Sequence, residues 1–347
     1  MAVFQHPEFD RHETVVHCHD DATGLRAIVA VHDSRLGPAL GGCRMWRYAD
    51  EDAALTDALR LSRGMTYKAA LAGLRFGGGK SVIIGDPHHD KSEALMEAMG
   101  RAVDRLGGAY IVAEDVGIGT GDVVAMARAT RHVAGLPGQG GDPSPATAYG
   151  VYLGIKAAVS FRLGRNSLDG IRVAVQGLGH VGHAVCERLA GDGAKLVVAD
   201  LSPSAVERAA DVFRAEIAAP EAIHAADVDV YAPCALGAVA NDRTIPQMRA
   251  RVLAGSANNQ LARPRHGAAL AAQGILYAPD YVINAGGIIN IAHEPWHTGR
   301  AYDREAAFAD VARIHDTLLE IFAEAKADGL ATVAAADRLA ERRLAAA

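Results

Sequence analysis

Two lysines, Lys68 and Lys80, stand around the glycine-rich run Gly73-Leu74-Arg75-Phe76-Gly77-Gly78-Gly79-Lys80. Neither has lysine neighbours with which to share a solvated face. Lys80 leads almost at once into the strand-like Val82-Ile83-Ile84. A lysine pressed between glycine backbone and an apolar strand loses hydration of its ammonium, which suits it for acid/base work near neutral pH. A surface loop carrying a solvated lysine is the alternative this run alone leaves open.

A second constellation lies further on. The apolar run 173–176 leads straight into Gly177-Leu178-Gly179-His180-Val181-Gly182, and a helical pattern follows. One G-x-G-x-x-G is a weak signal in a chain with 37 glycines. A strand before it and a helix after it, inside a βαβ unit, supply the context the motif needs. Gly177 would make the tight turn, Gly179 would let the backbone approach a pyrophosphate, and Gly182 would let helix and strand pack closely. His180 and Val181 open the helix whose N-terminus would face the phosphate charge. The next strand ends at Asp200, eighteen residues after Gly182. A carboxylate there can accept from a ribose 2′-hydroxyl and would repel a 2′-phosphate, so the cofactor reads as NAD rather than NADP. The alternative is a doubly wound sheet with a glycine turn and no ligand.

The elements that must position these groups read as follows. Strand-like runs at 14–17 and 26–31 open the chain, and 51–70 reads as a helix with Ala54, Leu55, Ala58, Leu59, Leu61 and Met65 on its apolar face. Lys68 falls near its end. The patterning predicts a strand at 81–84, a helix at 92–106, a strand at 110–113 ending in Glu114-Asp115, and a helix at about 122–129. The stretch 135–145 is dense in glycine and proline and marks a domain boundary or hinge. Beyond it, a helix at about 146–162 precedes short apolar strands at 173–176, 196–199, 228–231, 252–254 and 275–277, alternating with helices. That alternation predicts an α/β fold with a parallel sheet covered on both faces. Residues 304–347 are helical in pattern, rich in alanine and charge.

Bulk properties narrow the function classes. The 347 residues suffice for two domains with cores of their own. The net charge is −6 with no lysine/arginine block, which speaks against a nucleic-acid or anionic-membrane surface. No apolar stretch approaches the ~18 residues of a membrane span. The first twenty residues are rich in histidine and acidic side chains and lack an apolar signal core, so a cytoplasmic protein is expected. Cys18, Cys43, Cys186 and Cys234 form no Cys-x-x-Cys pair, so neither a zinc knuckle nor a disulfide framework is suggested.

Seven motifs in order now resemble one family. They are Gly37-Pro-Ala-Leu-Gly-Gly42, Gly64-Met-Thr-Tyr-Lys68, Gly77-Gly-Gly-Lys80, Ala113-Glu-Asp115, Ser144-Pro-Ala-Thr147, Gly255-Ser-Ala-Asn-Asn-Gln260 and Asn284-Ala-Gly-Gly287. Together they span nearly the whole chain and look like the amino-acid dehydrogenases acting on glutamate, leucine, phenylalanine or valine, with the leucine branch the nearest match. The resemblance implies a substrate-binding and catalytic domain from residues 1–135, joined by C-terminal helices from about 325–347, and a Rossmann-type NAD-binding domain from 145–324, separated by a cleft. It implies that Lys68 grips the substrate α-carboxylate. Lys80 would polarise the oxo-acid carbonyl and activate the water that attacks the imine. Asp115, at a strand end, would shuttle the proton on the substrate nitrogen, and Asn284 would hold the α-amino group. Thr147 would bind the nicotinamide carboxamide, and Asn259 would help place the nicotinamide ribose. Gly41 belongs to the substrate-binding set. Taken one at a time, each has a plain alternative: Asp115 as a helix cap, Thr147 as an N-cap, Asn284 as a turn former. The implied reaction is NAD-dependent oxidative deamination of an L-amino acid to a 2-oxo acid and ammonia, with a hinge near 135–145 closing the cleft.

Family positions that meet the substrate side chain correspond to Leu40, Met65, Ala113, Ile288 and Ile291, all apolar. A glutamate side chain would leave a buried, unpaired carboxylate there, at a cost of several kcal/mol. The bulk of Ile288 favours leucine, valine and isoleucine. Phenylalanine or another large apolar amino acid is the alternative, and a non-catalytic NAD and amino-acid sensor is the reading from another class. The set Lys68, Lys80 and Asp115 speaks against the sensor, which needs no proton shuttle. A homo-oligomer is expected. Leucine dehydrogenases usually carry a longer basic tail that helps build an octamer. Here the chain ends soon after Arg338, Arg342 and Arg343, which speaks against the octamer and leaves a dimer or another assembly. His293-Glu294-Pro295-Trp296-His297 fits the zinc-protease pattern H-E-x-x-H, but Pro295 denies it an undisturbed helix, and no metal site is read.

Overall fold

The computed structural model describes residues 3–235 and 237–347. The chain forms two compact units. The first comprises Met1–Gly141, Ile291–Tyr302 and Ala340–Ala347, and the second Asp142–Asn290 and Asp303–Leu339. The first break falls inside the glycine- and proline-rich stretch. The final return comes at Ala340, later than the residue 325 or so that the resemblance implies, and the excursion at Ile291–Tyr302 has no mark in the pattern.

In the first unit, β1 (Thr14–Asp20), β2 (Leu25–Asp33) and β3 (Ala39–Trp46) precede helix α1 (Glu51–Ala72). Strand β4 (Gly77–Ile84), α2 (Glu93–Asp104), β5 (Tyr110–Ala113) and α3 (Thr120–Ala127) follow. The sheet order is β1-β2-β4-β3-β5, antiparallel between β1, β2 and β4 and parallel between β4, β3 and β5. Helix α1 begins where Asp50 accepts from the Ala53 amide at 2.8 Å, with Glu51 and Asp52 in its first turn. It ends at Gly73, which takes the left-handed conformation at φ 68°. Ala54, Leu55, Ala58 and Leu59 pack on Ile28, Ala30 and Val82. Helices α2 and α3 cover the other face, over Val29, Met45, Ile83 and Val112.

The glycine-rich run is not a loop before a strand. Its second half, Gly77–Lys80, is the first half of β4, and Ala39–Trp46 is a strand that the patterning missed. The glycines are there because the neighbours leave no room for side chains. A Cβ on Gly78 would lie 2.1 Å from the Thr66 amide nitrogen of α1. One on Gly79 would lie 2.6 Å from the Tyr110 ring, and one on Gly41 of β3 would lie 1.8 Å from the Gly79 carbonyl oxygen. Helix α1 and strand β3 thus close on β4 at backbone contact, and the Tyr110 ring of β5 fills the space over Gly79.

Beneath α1, His12 and His32 are buried, with ring centroids 4.8 Å apart. His32 Nδ1 meets Thr66 Oγ1 at 2.9 Å, and Nε2 lies 3.9 Å from Asp10, which Arg63 also engages. Burial, then the charge of His12, pushes His32 down to about 4. The unfolded chain therefore binds a proton below about pH 6.5 that the folded chain refuses until about pH 4. Stability present above pH 6.5 is lost as the pH falls through that window, by about 2–3 kcal/mol. Urea unfolding at pH 7 and pH 4.5 should show the loss, and His32→Gln should reduce it. An equal loss in both proteins would mean that other groups carry it.

The second unit alternates helices and strands: α4 (Ser144–Leu163), β6 (Arg172–Gln176), α5 (His180–Gly191), β7 (Lys195–Ala199), α6 (Pro203–Phe213), β8 (Glu216–Ile217), β9 (Val230–Pro233) and β10 (Val252–Leu253). Then come α7 (Arg265–Ala272), β11 (Leu276–Tyr277), α8 (Asp280–Ile283) and α9 (Gly286–Ala292), whose last two residues belong to the first unit. Short α10 (Pro295–Thr298) is followed by α11 (Arg304–Asp328) and α12 (Thr332–Ala345). The six strands form one wholly parallel sheet in the order β11-β10-β9-β6-β7-β8. Val173, Ala174 and Val175 of β6 and Leu196, Val197 and Val198 of β7 are all buried, so consecutive residues are covered on both faces, as the continuous apolar runs of a sheet covered on two faces require.

Candidate active site

Lys80 lies in the middle of β4 and is 5% exposed. Its Nζ donates to Asp115 Oδ2 at 2.6 Å, across 35 residues of chain. Asp115 follows β5 and does not cap α3, whose N-cap is Gly119. Gly42 of β3 leaves room for Asp115, since a Cβ there would lie 2.7 Å from Asp115 Cβ. Burial raises the Asp115 carboxyl, but the Lys80 and Arg44 charges outweigh it and hold the group below the usual carboxylate range. The site therefore has a carboxylate that stays charged through neutral pH beside a buried ammonium, an arrangement able to exchange protons with a bound molecule.

Lys68 is half-buried on α1, the helix that Gly78 admits to backbone contact with β4. Met65 lies three residues before it, on the same helical face. Leu40 and Gly41 are buried on β3 and Ala113 ends β5. These residues, with half-buried Ile291, belong to the first unit, whereas Asn284 and buried Ile288 belong to the second.

Asn284 closes α8 and is buried. Its Nδ2 donates to the Ser256 carbonyl at 3.0 Å and to Asn258 Oδ1 at 2.7 Å. Those two bonds fix the amide orientation and leave Oδ1 as an acceptor. That oxygen is buried and accepts no hydrogen bond among the described residues. A buried acceptor without a donor is costly, and a ligand amine would satisfy it. Thr147 lies in the first turn of α4, where its hydroxyl donates to the Pro143 carbonyl at 3.1 Å, so it is not the N-cap. A Cβ on Gly287 would lie 2.9 Å from Thr147 Oγ1, so the Asn284 motif and the start of α4 are close neighbours. Asn259 is exposed and adopts a left-handed conformation at φ 52°.

The β6–α5 turn has the geometry that a dinucleotide needs. Gly177 has φ 96°, and a Cβ there would strike Cys234 and Ala235 within 3 Å. A Cβ on Gly182 would lie 1.9 Å from the Gly177 carbonyl oxygen. Over Gly179 the space is open, and α5 starts at exposed His180 and half-buried Val181 with no side-chain cap. Open space facing uncapped amides suits a pyrophosphate. Asp200 follows β7, accepts from the Leu178 amide at 2.6 Å and the Ser202 amide at 2.8 Å, and stands beside the turn. These residues fit NAD and could hold it.

Sequence reading missed Arg44, Asp57 and Tyr48. Arg44 Nε donates to Asp115 Oδ2 at 3.0 Å and its Nη1 to Asp57 Oδ2 at 2.9 Å, and Tyr48 donates to that same Asp57 oxygen at 2.6 Å. The available signal was strand alternation, which puts Arg44 on the face of Gly42 once β3 is known to be a strand. The H-E-x-x-H run is broken as expected: α10 starts at Pro295, after His293. Buried Glu294 instead accepts from the Gly135 amide at 3.0 Å and from Trp296 at 2.8 Å, which ties Ile291–Tyr302 to the first unit.

Comparison with known proteins bears on the family of the chain. Residues 12–132 match the family model "Glu/Leu/Phe/Val dehydrogenase, dimerisation domain". Residues 201–347 match "Glutamate/Leucine/Phenylalanine/Valine dehydrogenase". The leucine dehydrogenase of Bacillus cereus is 51% identical over 99% of this chain and 94% of its own length. The L-tryptophan dehydrogenase of Nostoc punctiforme is 48% identical over 99% of this chain and 96% of its own length. Its crystal structure superposes with a TM-score of 0.84 over 96% of each chain. The phenylalanine dehydrogenase of Bacillus thermotolerans is 44% identical over 97% of this chain and 89% of its own length. With a buried lysine–aspartate pair in one α/β unit and a dinucleotide turn in the other, the chain belongs to the glutamate/leucine/phenylalanine/valine dehydrogenase family and is an NAD-dependent amino-acid dehydrogenase.

Proposed function

We propose that the protein carries out the reversible oxidative deamination of branched-chain aliphatic L-amino acids. An amino acid, NAD+ and water give the 2-oxo acid, ammonium, NADH and a proton. The observation that carries the chemistry is the 2.6 Å contact between Lys80 and Asp115. Bound NAD supplies the acceptor for the hydride leaving Cα. Lys68 holds the α-carboxylate as a hydrogen-bonded cation. Asn284 Oδ1 accepts from the substrate nitrogen, which satisfies its buried oxygen. Asp115 takes the proton that the ammonium must lose before the C–N bond can become an imine. Lys80 orients the water that adds to the imine carbon and passes its proton toward Asp115, and it polarises the oxo-acid carbonyl in the reverse direction. Gly177, Gly179, Gly182 and Asp200 hold the dinucleotide, with Thr147 and Asn259 toward the nicotinamide end.

The choice of leucine, valine and isoleucine rests on the apolar set Leu40, Met65, Ala113, Ile288 and Ile291, and on the 51% identity to a leucine dehydrogenase. An aromatic substrate is the second reading, favoured by the tryptophan and phenylalanine enzymes at 48% and 44% identity. One methylene is worth only about 1–3 kcal/mol in such a pocket, so the test is direct. NADH formation is followed with L-leucine, L-valine, L-isoleucine, L-phenylalanine, L-tryptophan and L-glutamate. The highest kcat/KM is expected on an aliphatic substrate, with glutamate near background. Preference for an aromatic amino acid would overturn the assignment to Ile288 and keep the chemistry. A homo-oligomer is part of the proposal, supported by the dimerisation description of the first matched model. A cytoplasmic site is supported by four free cysteines. No described helix is long and apolar enough to cross a membrane.

A further inference from the structure

Asp115 sits just beyond the end of β5, joined to Ile118 by a single bridge, and its carboxylate takes one backbone hydrogen bond, from Val116. Side chains do more. Lys80 Nζ and Arg44 Nε converge on the same oxygen, Oδ2, at 2.6 and 3.0 Å. Arg44 is 16% exposed and is held in turn by Asp57 of α1, which Tyr48 also engages. The two cations are not equivalent. A guanidinium is planar and permanently charged, whereas a lysine in catalysis must change partners and protons. When Lys80 turns to the substrate oxygen or to water, the other partner of Asp115 Oδ2 stays in place.

We infer that Arg44 is a positioning residue for the deamination: anchored by Asp57 and Tyr48, it holds the Asp115 carboxylate in its reactive orientation while Lys80 engages the substrate. The inference rests on the reading of Asp115 as proton shuttle. Both side-chain cations bond to Oδ2, and neither is bonded to Oδ1. The charge of Arg44 also favours the carboxylate form that must accept the proton. The other groups facing Asp115 are Lys80 of β4, Cys43 of β3, Tyr110 of β5 and Tyr48. Burial drives the Cys43 thiol and both tyrosines toward their neutral forms. Loss of Arg44 therefore leaves Lys80 as the cation opposite Asp115.

The test is kcat/KM against pH for the full-length enzyme with NAD+ and its best amino acid, for Arg44→Met, Arg44→Lys, Asp57→Asn and Asp115→Asn. Arg44→Met should lower kcat roughly 10–100-fold with the KM for NAD+ unchanged. Its Asp115 carboxyl should take up a proton at higher pH than in the parent, because an opposite charge has been removed, so the acid limb, followed below neutral pH, should move up. Arg44→Lys should restore part of both effects, and Asp57→Asn should lower kcat several-fold by freeing Arg44. A fall in kcat with an unmoved acid limb and no rescue by lysine would reduce Arg44 to a structural part and overturn the inference. If Arg44→Met fails to fold, Arg44→Lys and Asp57→Asn decide: unchanged kcat in both would overturn it. Asp115→Asn separates the two layers. If it is inactive while Arg44→Met matches the parent, the Arg44 inference alone falls. If it turns over normally, the reading of Asp115 falls, and this inference with it.

Discussion

Lys80→Ala is expected to reduce amino-acid turnover roughly a thousandfold or more while NAD binding stays intact. Lys80 is buried on β4 and bonded to Asp115, whereas the dinucleotide turn at Gly177–Gly182 belongs to the other unit. Removing the ammonium takes away three things at once: the group that polarises the carbonyl, the group that orients the attacking water, and one of two cations holding Asp115. Residues with such joint duties lose far more than a single hydrogen bond when removed. Arg44 keeps its bond to Asp115, so the carboxylate is not left as a lone buried charge and the fold should survive. Steady-state turnover, with NAD affinity from a fluorescence titration, makes the comparison. Turnover within a few-fold of the parent would remove Lys80 from the chemistry. Loss of NAD affinity would mean that the substitution had disturbed more than its site.

What could be read in advance follows from where the information lies. The second unit was legible because its strands are buried on both faces, so runs such as 173–175 and 196–199 are apolar without interruption and alternate with helices. Helix starts were legible near the residues that carry the cap, as at Asp50 and Ser92, whereas α1 runs on to Ala72 before Gly73 ends it. The β3–β4 region was not. Glycine has low strand propensity, and a glycine run reads as a loop until Thr66, Tyr110 and the Gly79 carbonyl are known to press on it. Lys80 thus lies inside a strand, more firmly fixed than a loop lysine. The Arg44–Asp115 bond spans 71 residues, and the Arg44–Asp57 bond joins a strand to a helix, so no local pattern announces either. Asn284 was found by motif. Its orphan oxygen, the feature that invites an amine, exists only once Ser256 and Asn258 have claimed its nitrogen.

Gly41→Ala is expected to destabilise the first unit by about 3 kcal/mol or more and to abolish turnover with it. The added Cβ would lie 1.8 Å from the Gly79 carbonyl oxygen and 3.4 Å from the Lys80 amide nitrogen. Both are backbone atoms of a neighbouring strand, so no rotamer change relieves the overlap. The strands must separate beside the catalytic lysine. Tyr110, whose hydroxyl donates to the Gly41 carbonyl at 2.7 Å, would also lose its alignment. A change of that size corresponds to a fall in midpoint of roughly 6–12 °C, read by thermal unfolding. Gly64→Ala is the matching control. Gly64 lies inside α1 with nothing within 4 Å of its missing Cβ, so alanine there should stabilise by about 0.5–1 kcal/mol through helix propensity alone. Opposite signs for one chemical change, in one unit, are what the packing requires. A Gly41→Ala midpoint equal to that of the parent would show that β3 and β4 have slack that their glycines do not suggest.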